Sequence, residues 1–124
     1  MEFKIDTKPT YTVITPGSGD LSVNLAEVIR QKVTEARETG SHNFVIDLQH
    51  INSMDMASGD VLLDLNHIVY NNGGSLVFSS PEDSVMQTLK KGQYHLSLNI
   101  TPTLIEAIDI ISMEVLERDL LGES

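Results

Sequence analysis

Along this chain the apolar and polar positions change period several times, and each change marks an element. Residues 3–6 and 11–15 are short alternating segments on either side of Thr7-Lys8-Pro9, which predicts two strands joined as an antiparallel hairpin. Pro16-Gly17-Ser18-Gly19-Asp20 breaks the second strand. Asn24 with Glu27 three residues on has the pattern of a capping box, so a helix is expected from there to about residue 38. Its inward stripe is Leu25, Val28, Ile29, Val33 and Ala36, and Gly40 supplies the stop. Phe44-Val45-Ile46 is a continuous apolar run, as in a strand covered on both faces. With Asp47-Leu48 it belongs in the middle of a sheet. Residues 49–55 read as a polar loop.

From about Met56 the period becomes that of a helix, with Val61, Leu62, Leu65, Ile68 and Val69 on one face, until Asn71-Asn72-Gly73-Gly74 ends it. Ser75-Leu76-Val77-Phe78-Ser79 is the next strand, and the helix between it and the previous one predicts parallel pairing. Ser80-Pro81 reads as a cap and first turn, opening a short helix with Val85, Met86 and Leu89 inward and Gly92 closing it. Residues 95–99 are expected to form a short edge strand. Thr101-Pro102 repeats the cap-proline device before a last helix with Leu104, Ile105, Ile108, Ile111 and Val115 inward; the charged tail beyond Glu117 is expected to fray. The order is ββαβαβα(β)α. This predicts an α/β fold, a mixed sheet of four to five strands with about four helices, in one domain over residues 1–124.

Composition narrows the function. The 18 acidic residues outweigh 8 basic ones, a net charge of −10, and the lysines and arginines are scattered. Affinity for a nucleic-acid backbone comes mainly from clustered basic side chains, so DNA and RNA are disfavoured as partners, and so is an anionic membrane surface. No cysteine is present, which removes disulfides and thiolate metal sites. The N-terminus has no apolar signal core, and no run approaches the roughly 18 residues that cross a bilayer, so no membrane insertion and a cytoplasmic location are expected.

Enzyme constellations are thin. Neither GxxxxGK[ST] nor a GxGxxG between strand and helix occurs, so no cofactor is expected. His42, His50, His67 and His95 form no HxxxH or HExxH spacing and read as exposed. Asp60 and Asp64 lie one turn apart on the solvated side of the second helix, and Asp60 in its first turn is favoured by the helix dipole. More informative is what faces away from the core. At 100° per residue Leu63, His67 and Tyr70 point outward, Met56 and Gly59 extend that face back one turn, and Met56, Leu63 and Tyr70 would form an apolar line. Such a line is covered by a neighbouring helix, or is no more than scattered exposed hydrophobics, or is a partner surface, since patches with Met and Tyr often mark interaction sites.

The segment FVIDLQHINSMDMASGDVLL resembles the centre of STAS domains, the family that contains the bacterial anti-sigma factor antagonists: an apolar strand ending in Asp-Leu, a short loop, then Asp-Ser-Ser/Thr-Gly leading into a helix. Gly17 with Asp20, Gly73-Gly74 before a strand, and the helix start at residues 101–108 extend the likeness over nearly the whole chain. The resemblance implies a non-enzymatic binding module for transcription regulation by partner switching. Its partner would be an anti-sigma factor that is also a serine kinase, and phosphorylation of the first serine after the Asp would abolish docking. It implies docking at the turn, so Asp55, Met56, Ala57, Ser58 and Gly59 are the expected partner-binding residues, and the outward helix face adds Leu63 and Tyr70 to them.

The departure lies at the acceptor. Aligned on Asp55, Met56 occupies the acceptor position, Ala57 the second serine and Ser58 the glycine; shifted to match Ser58-Gly59, Ala57 occupies it. Neither register puts a hydroxyl there, which leaves Ser58 and Ser53 as displaced candidates for phosphorylation. The expected function is therefore a docking regulator without the usual phosphoserine switch. Two alternatives stay open: a STAS subunit of another signalling or lipid-transport complex, and a small ligand-binding domain or enzyme using the pocket at the strand carboxyl ends. A homodimer through exposed apolar residues is compatible with each.

Overall fold

The computed structural model describes residues 2–122. A five-stranded mixed sheet has the order β1-β2-β4-β6-β7. β1 (Phe3–Thr7) and β2 (Thr12–Pro16) form the antiparallel hairpin, and β2, β4 (Asn43–Asp47), β6 (Ser75–Ser79) and β7 (Ile100–Thr101) run parallel to one another. Four helices accompany it: α1 (Val23–Glu38), α2 (Ser58–Asn71), α3 (Asp83–Lys91) and α4 (Leu104–Leu121).

The continuous apolar run of β4 follows from its central place. Val45, with Val13 and Val77, faces α4 through Ala107 and Ile111. Phe44 and Ile46, with Ile14, Leu76 and Phe78, face α1, α2 and α3 through Ile29, Leu65 and Leu89. All three residues of the run are fully buried. At roughly 1.5–3 kcal/mol for each large apolar side chain removed from water, these two layers are the main source of stability.

Several expectations are corrected. The breaker after β2 and the loop after β4 each contain a strand: β3 (Gly19–Leu21) and β5 (Ile51–Met54) pair in parallel as a separate two-stranded sheet, with an irregularity between Gly19 and Asp20. Leu21, Ile51 and Met54 are buried, and the polar residues between them are exposed. So few apolar positions give no readable period. α1 starts at Val23 under Ser22, whose Oγ accepts the Leu25 N–H at 3.1 Å, so Asn24 is inside the helix and is not its cap. Ser80 does not cap α3. It has a φ of 58° and its N–H donates to the Thr101 carbonyl at 3.0 Å, and the helix begins three residues later at Asp83.

The stretch expected as an edge strand holds a 3-10 turn (Tyr94–Leu96), and the fifth strand is β7 just beyond it. Thr103, not Thr101, caps α4: its Oγ1 accepts the Glu106 N–H at 3.2 Å and donates to Glu106 Oε1 at 2.8 Å. Thr101 instead sits in β7. α4 also runs past Glu117, because the Arg118 guanidinium donates to Ser75 Oγ at 3.0 Å and Asn43 Oδ1 at 2.8 Å and ties that turn to the sheet. Its inward face is centred on Ala107 and Ile111; Ile105, expected inward, is 72% exposed.

Candidate functional site

The site is built where β5 leaves its partner strand. The Asp55 N–H donates to the Leu21 carbonyl at 3.0 Å, which fixes the end of β5 against β3. The Asp55 carboxylate then folds over the next turn, with Oδ1 accepting the Ala57 N–H at 3.2 Å. This ties down a donor that the start of α2 leaves free, since Ala57 occupies the cap position and has no side-chain oxygen. The result is a tight turn whose tip, Asp55-Met56-Ala57, faces solvent. Met56 is 38% exposed, a large apolar side chain standing beside a helix N-terminus.

Ser58 and Gly59 point the other way. Ser58 is fully buried, and both its N–H (3.0 Å) and its Oγ (2.7 Å) donate to the Asp55 carbonyl. Gly59 lies under the ring of Tyr94: an added Cβ would be 2.2 Å from Cε2 of that ring, and one on Gly92 would be 2.3 Å from the same atom. The Tyr94 hydroxyl donates to Asp60 Oδ1 at 3.1 Å. Burial, followed by the bond to Asp60, pushes the Tyr94 phenol up from its ordinary value. Thus the segment after α3 is clamped onto the first turn of α2. Tyr94 is not legible in the sequence, because Gly92 reads as the stop of α3 and Gly59 as part of the turn, so neither glycine announces the ring that needs the space.

The expected outer line does not form. Met56 is open, but Leu63 is half-buried and packs against the core, and Tyr70 also packs inward. The Tyr70 hydroxyl donates toward Glu114 Oε1 at 2.9 Å and the Leu76 carbonyl at 3.3 Å, and accepts from Asn99 Nδ2 at 2.7 Å. Tyr70 has a partner, α4, within its own chain, and it lies at the far end of α2, about 18 Å from Ser58 at 1.5 Å per residue. Asp55, Met56 and Ala57 come together as an exposed tip, Ser58 and Gly59 support it from beneath, and Leu63 and Tyr70 are not part of it.

Other polar groups take clear places. Ser53 is exposed on β5, and its Oγ donates to Asp20 Oδ1 at 2.7 Å. Ser84 of α3 donates to the Asn52 carbonyl at 2.7 Å, which holds α3 beside β5. His42, His50 and His67 are exposed, whereas His95 is half-buried, and its Nδ1 has no partner among the described residues. Among the described residues no three His, Asp or Glu are grouped to hold a metal ion, and no helix is long and apolar enough to cross a membrane. At the carboxyl ends of β2 and β4 there is an open cleft of about 270 Å³ lined by Thr15, Asp47, Gln49, His50 and Leu104 among others.

Tyr70 provides a pH test of the packing. Burial, and then the bond to Glu114, raise its phenol from 10.0 to about 12. A phenol whose folded value is raised contributes stability that is whole below the unfolded value and lost as pH climbs through the folded one. Unfolding stability is therefore expected to fall between about pH 10 and pH 12. Urea titrations across that range should show a smaller fall for Tyr70→Phe; an identical fall would remove the assigned cause.

A parallel-centred sheet with helices on both faces and a solvent-facing turn at the start of α2 defines an α/β domain. The STAS domain profile matches residues 3–107, and the chain belongs to that family. Among solved structures it is similar to a Thermotoga maritima protein assigned as an anti-sigma factor antagonist (TM-score 0.77, 19% identity, 89% of this chain and 94% of that one). It is also similar to the anti-sigma factor antagonist SpoIIAA of Bacillus in its unphosphorylated form (TM-score 0.71, 18% identity, 90% of this chain and 96% of that one). A third likeness is to a part of SLC26A9 (TM-score 0.64, 19% identity, 91% of this chain and 21% of that one). At these identities the likenesses establish a shared fold.

Proposed function

We propose that this chain is a protein-docking regulator of the anti-sigma factor antagonist kind, and that it binds its partner through Asp55, Met56 and Ala57 without a phosphoserine switch at that turn. The partner that fits the family is an anti-sigma factor with serine kinase activity. The observation that supports the reading is the pairing of an exposed Met56-Ala57, neither of which carries a hydroxyl, with a buried Ser58 whose hydroxyl already donates to the Asp55 carbonyl. A kinase needs its acceptor oxygen free and accessible. Ser58 would have to leave its bond and its buried position first, and a dianionic phosphate could not return to that buried position.

Incubating the chain with the anti-sigma serine kinases of its source organism and ATP, followed by mass mapping, is expected to leave Ser58 unmodified while the complex persists. Phosphate on Ser58 with release of the partner would overturn the reading. A second reading, a STAS unit of another, larger assembly, draws on the likeness to one part of SLC26A9. It predicts recovery of the chain in a larger complex that contains no anti-sigma factor.

A further inference from the structure

α4 carries apolar residues on both sides, and only one side has a partner. Ala107 and Ile111 are buried against the sheet, with Leu104, Ile110 and Val115 around them. On the opposite side Ile105 is 72% exposed, Met113 63%, Leu116 58% and Leu120 70%. At 100° per residue these four fall in one narrow stripe along the whole helix, in the same sector as Asp109. A run of large apolar side chains left exposed along one helix face marks an interaction surface.

The charges around the stripe decide what can cover it. Glu106, Asp109, Glu117 and Asp119 are all exposed on or beside it. The one basic side chain of α4, Arg118, is turned to the sheet and bonded to Ser75 and Asn43. The stripe is therefore apolar except for Asp109 at its middle, with further uncompensated acidic residues along its edges, in a chain of net charge −10. A second copy would set the same acidic residues against each other, and like charges brought together at an interface are strongly unfavourable. An anionic lipid surface is repelled for the same reason.

We infer that the outer face of α4 is a second docking surface whose occupant is a basic amphipathic helix of another protein. Its apolar side lies along Ile105, Met113, Leu116 and Leu120, and its lysines or arginines meet Glu106, Asp109, Glu117 and Asp119. α4 and α2 lie on opposite faces of the sheet. Occupation of this surface leaves the Met56 turn free, so the domain can hold two proteins at once. The inference does not depend on the identity of the partner at Met56.

The test uses the full chain and a synthetic peptide as long as α4, built of Leu and Lys in helical repeat, with a scrambled peptide of the same composition as comparator. Fluorescence anisotropy at physiological salt is expected to show the amphipathic peptide binding at least about tenfold tighter than the scrambled one, with the triple variant Met113→Gln/Leu116→Gln/Leu120→Gln reducing it by about the same factor. Because these side chains are exposed, the variant keeps the wild-type circular dichroism and melting curve, and Met56→Gln leaves peptide binding unchanged. Equal binding of both peptides, or binding indifferent to the triple variant, overturns the inference. So does a dimer seen by sedimentation, or flotation with phosphatidylglycerol vesicles, that the triple variant abolishes.

Discussion

Replacing Gly59 by alanine is expected to lower the unfolding free energy by about 3 kcal/mol, at the upper end of what overpacking a core costs. The added Cβ would stand 2.2 to 2.5 Å from three atoms of the Tyr94 ring. The flexible end of a long side chain swings aside from such a clash, but this ring is closed in from two directions. Gly92 is as close to it as Gly59, and its hydroxyl is bonded to Asp60. Relief therefore requires the chain after α3 to lift from the first turn of α2. Alanine is the better helix former by about 1 kcal/mol in a helix interior, a gain of opposite sign that the clash exceeds. A double-mutant cycle in urea separates the two effects. With Tyr94→Ala already present, Gly59→Ala should become neutral or stabilising. If it costs as much there as in the wild type, the ring is not the cause.

Much of this fold is legible in the sequence because its central elements are long and strongly patterned. β4 and β6 declare themselves by unbroken apolar runs, and α1 and α2 by stripes that the structure buries at Leu25, Ile29, Val33, Leu62, Leu65 and Val69. What was not legible has physical reasons. β3 and β5 are three and four residues long, too short for a period to show. α4 has isoleucine or leucine at nearly every angle, so periodicity cannot say which face is inward; the small Ala107, which allows close approach to Val45 and Val77, was the better guide.

Of the candidate site, the exposure of the turn was legible in the sequence, and what packs beneath it was not. Asp55, Met56 and Ala57 were placed by pattern and resemblance, and they are exposed together. Leu63 and Tyr70 were expected on the same surface because the helical wheel shows direction and not what waits there. For Tyr70 what waits is Glu114, 44 residues further on, with Asn99. Tyr94 is separated from Asp60 by 34 residues, and no local pattern announces such a clamp. A tyrosine can face away from one core and still be held by another element.

Met56 is where stability and function are expected to separate most widely. Met56→Glu should leave unfolding within about 0.5 kcal/mol of wild type, since the side chain is exposed and makes no polar contact that the change would break. Partner binding should weaken by at least about 2 kcal/mol, some thirtyfold, because an apolar anchor is lost and a third carboxylate joins Asp55 and Asp60 at the turn. Met56→Ser makes the complementary change. It removes the anchor but presents a free hydroxyl at the tip, unlike Ser58, so the kinase partner should transfer phosphate to residue 56 and the complex should then become sensitive to ATP. Both variants are measured by titration calorimetry against the purified partner, with urea unfolding alongside. Undiminished affinity in Met56→Glu would move the docking surface elsewhere on the domain. Reduced affinity without phosphate transfer in Met56→Ser would keep docking at this turn and tie the missing switch to the partner rather than to the missing serine.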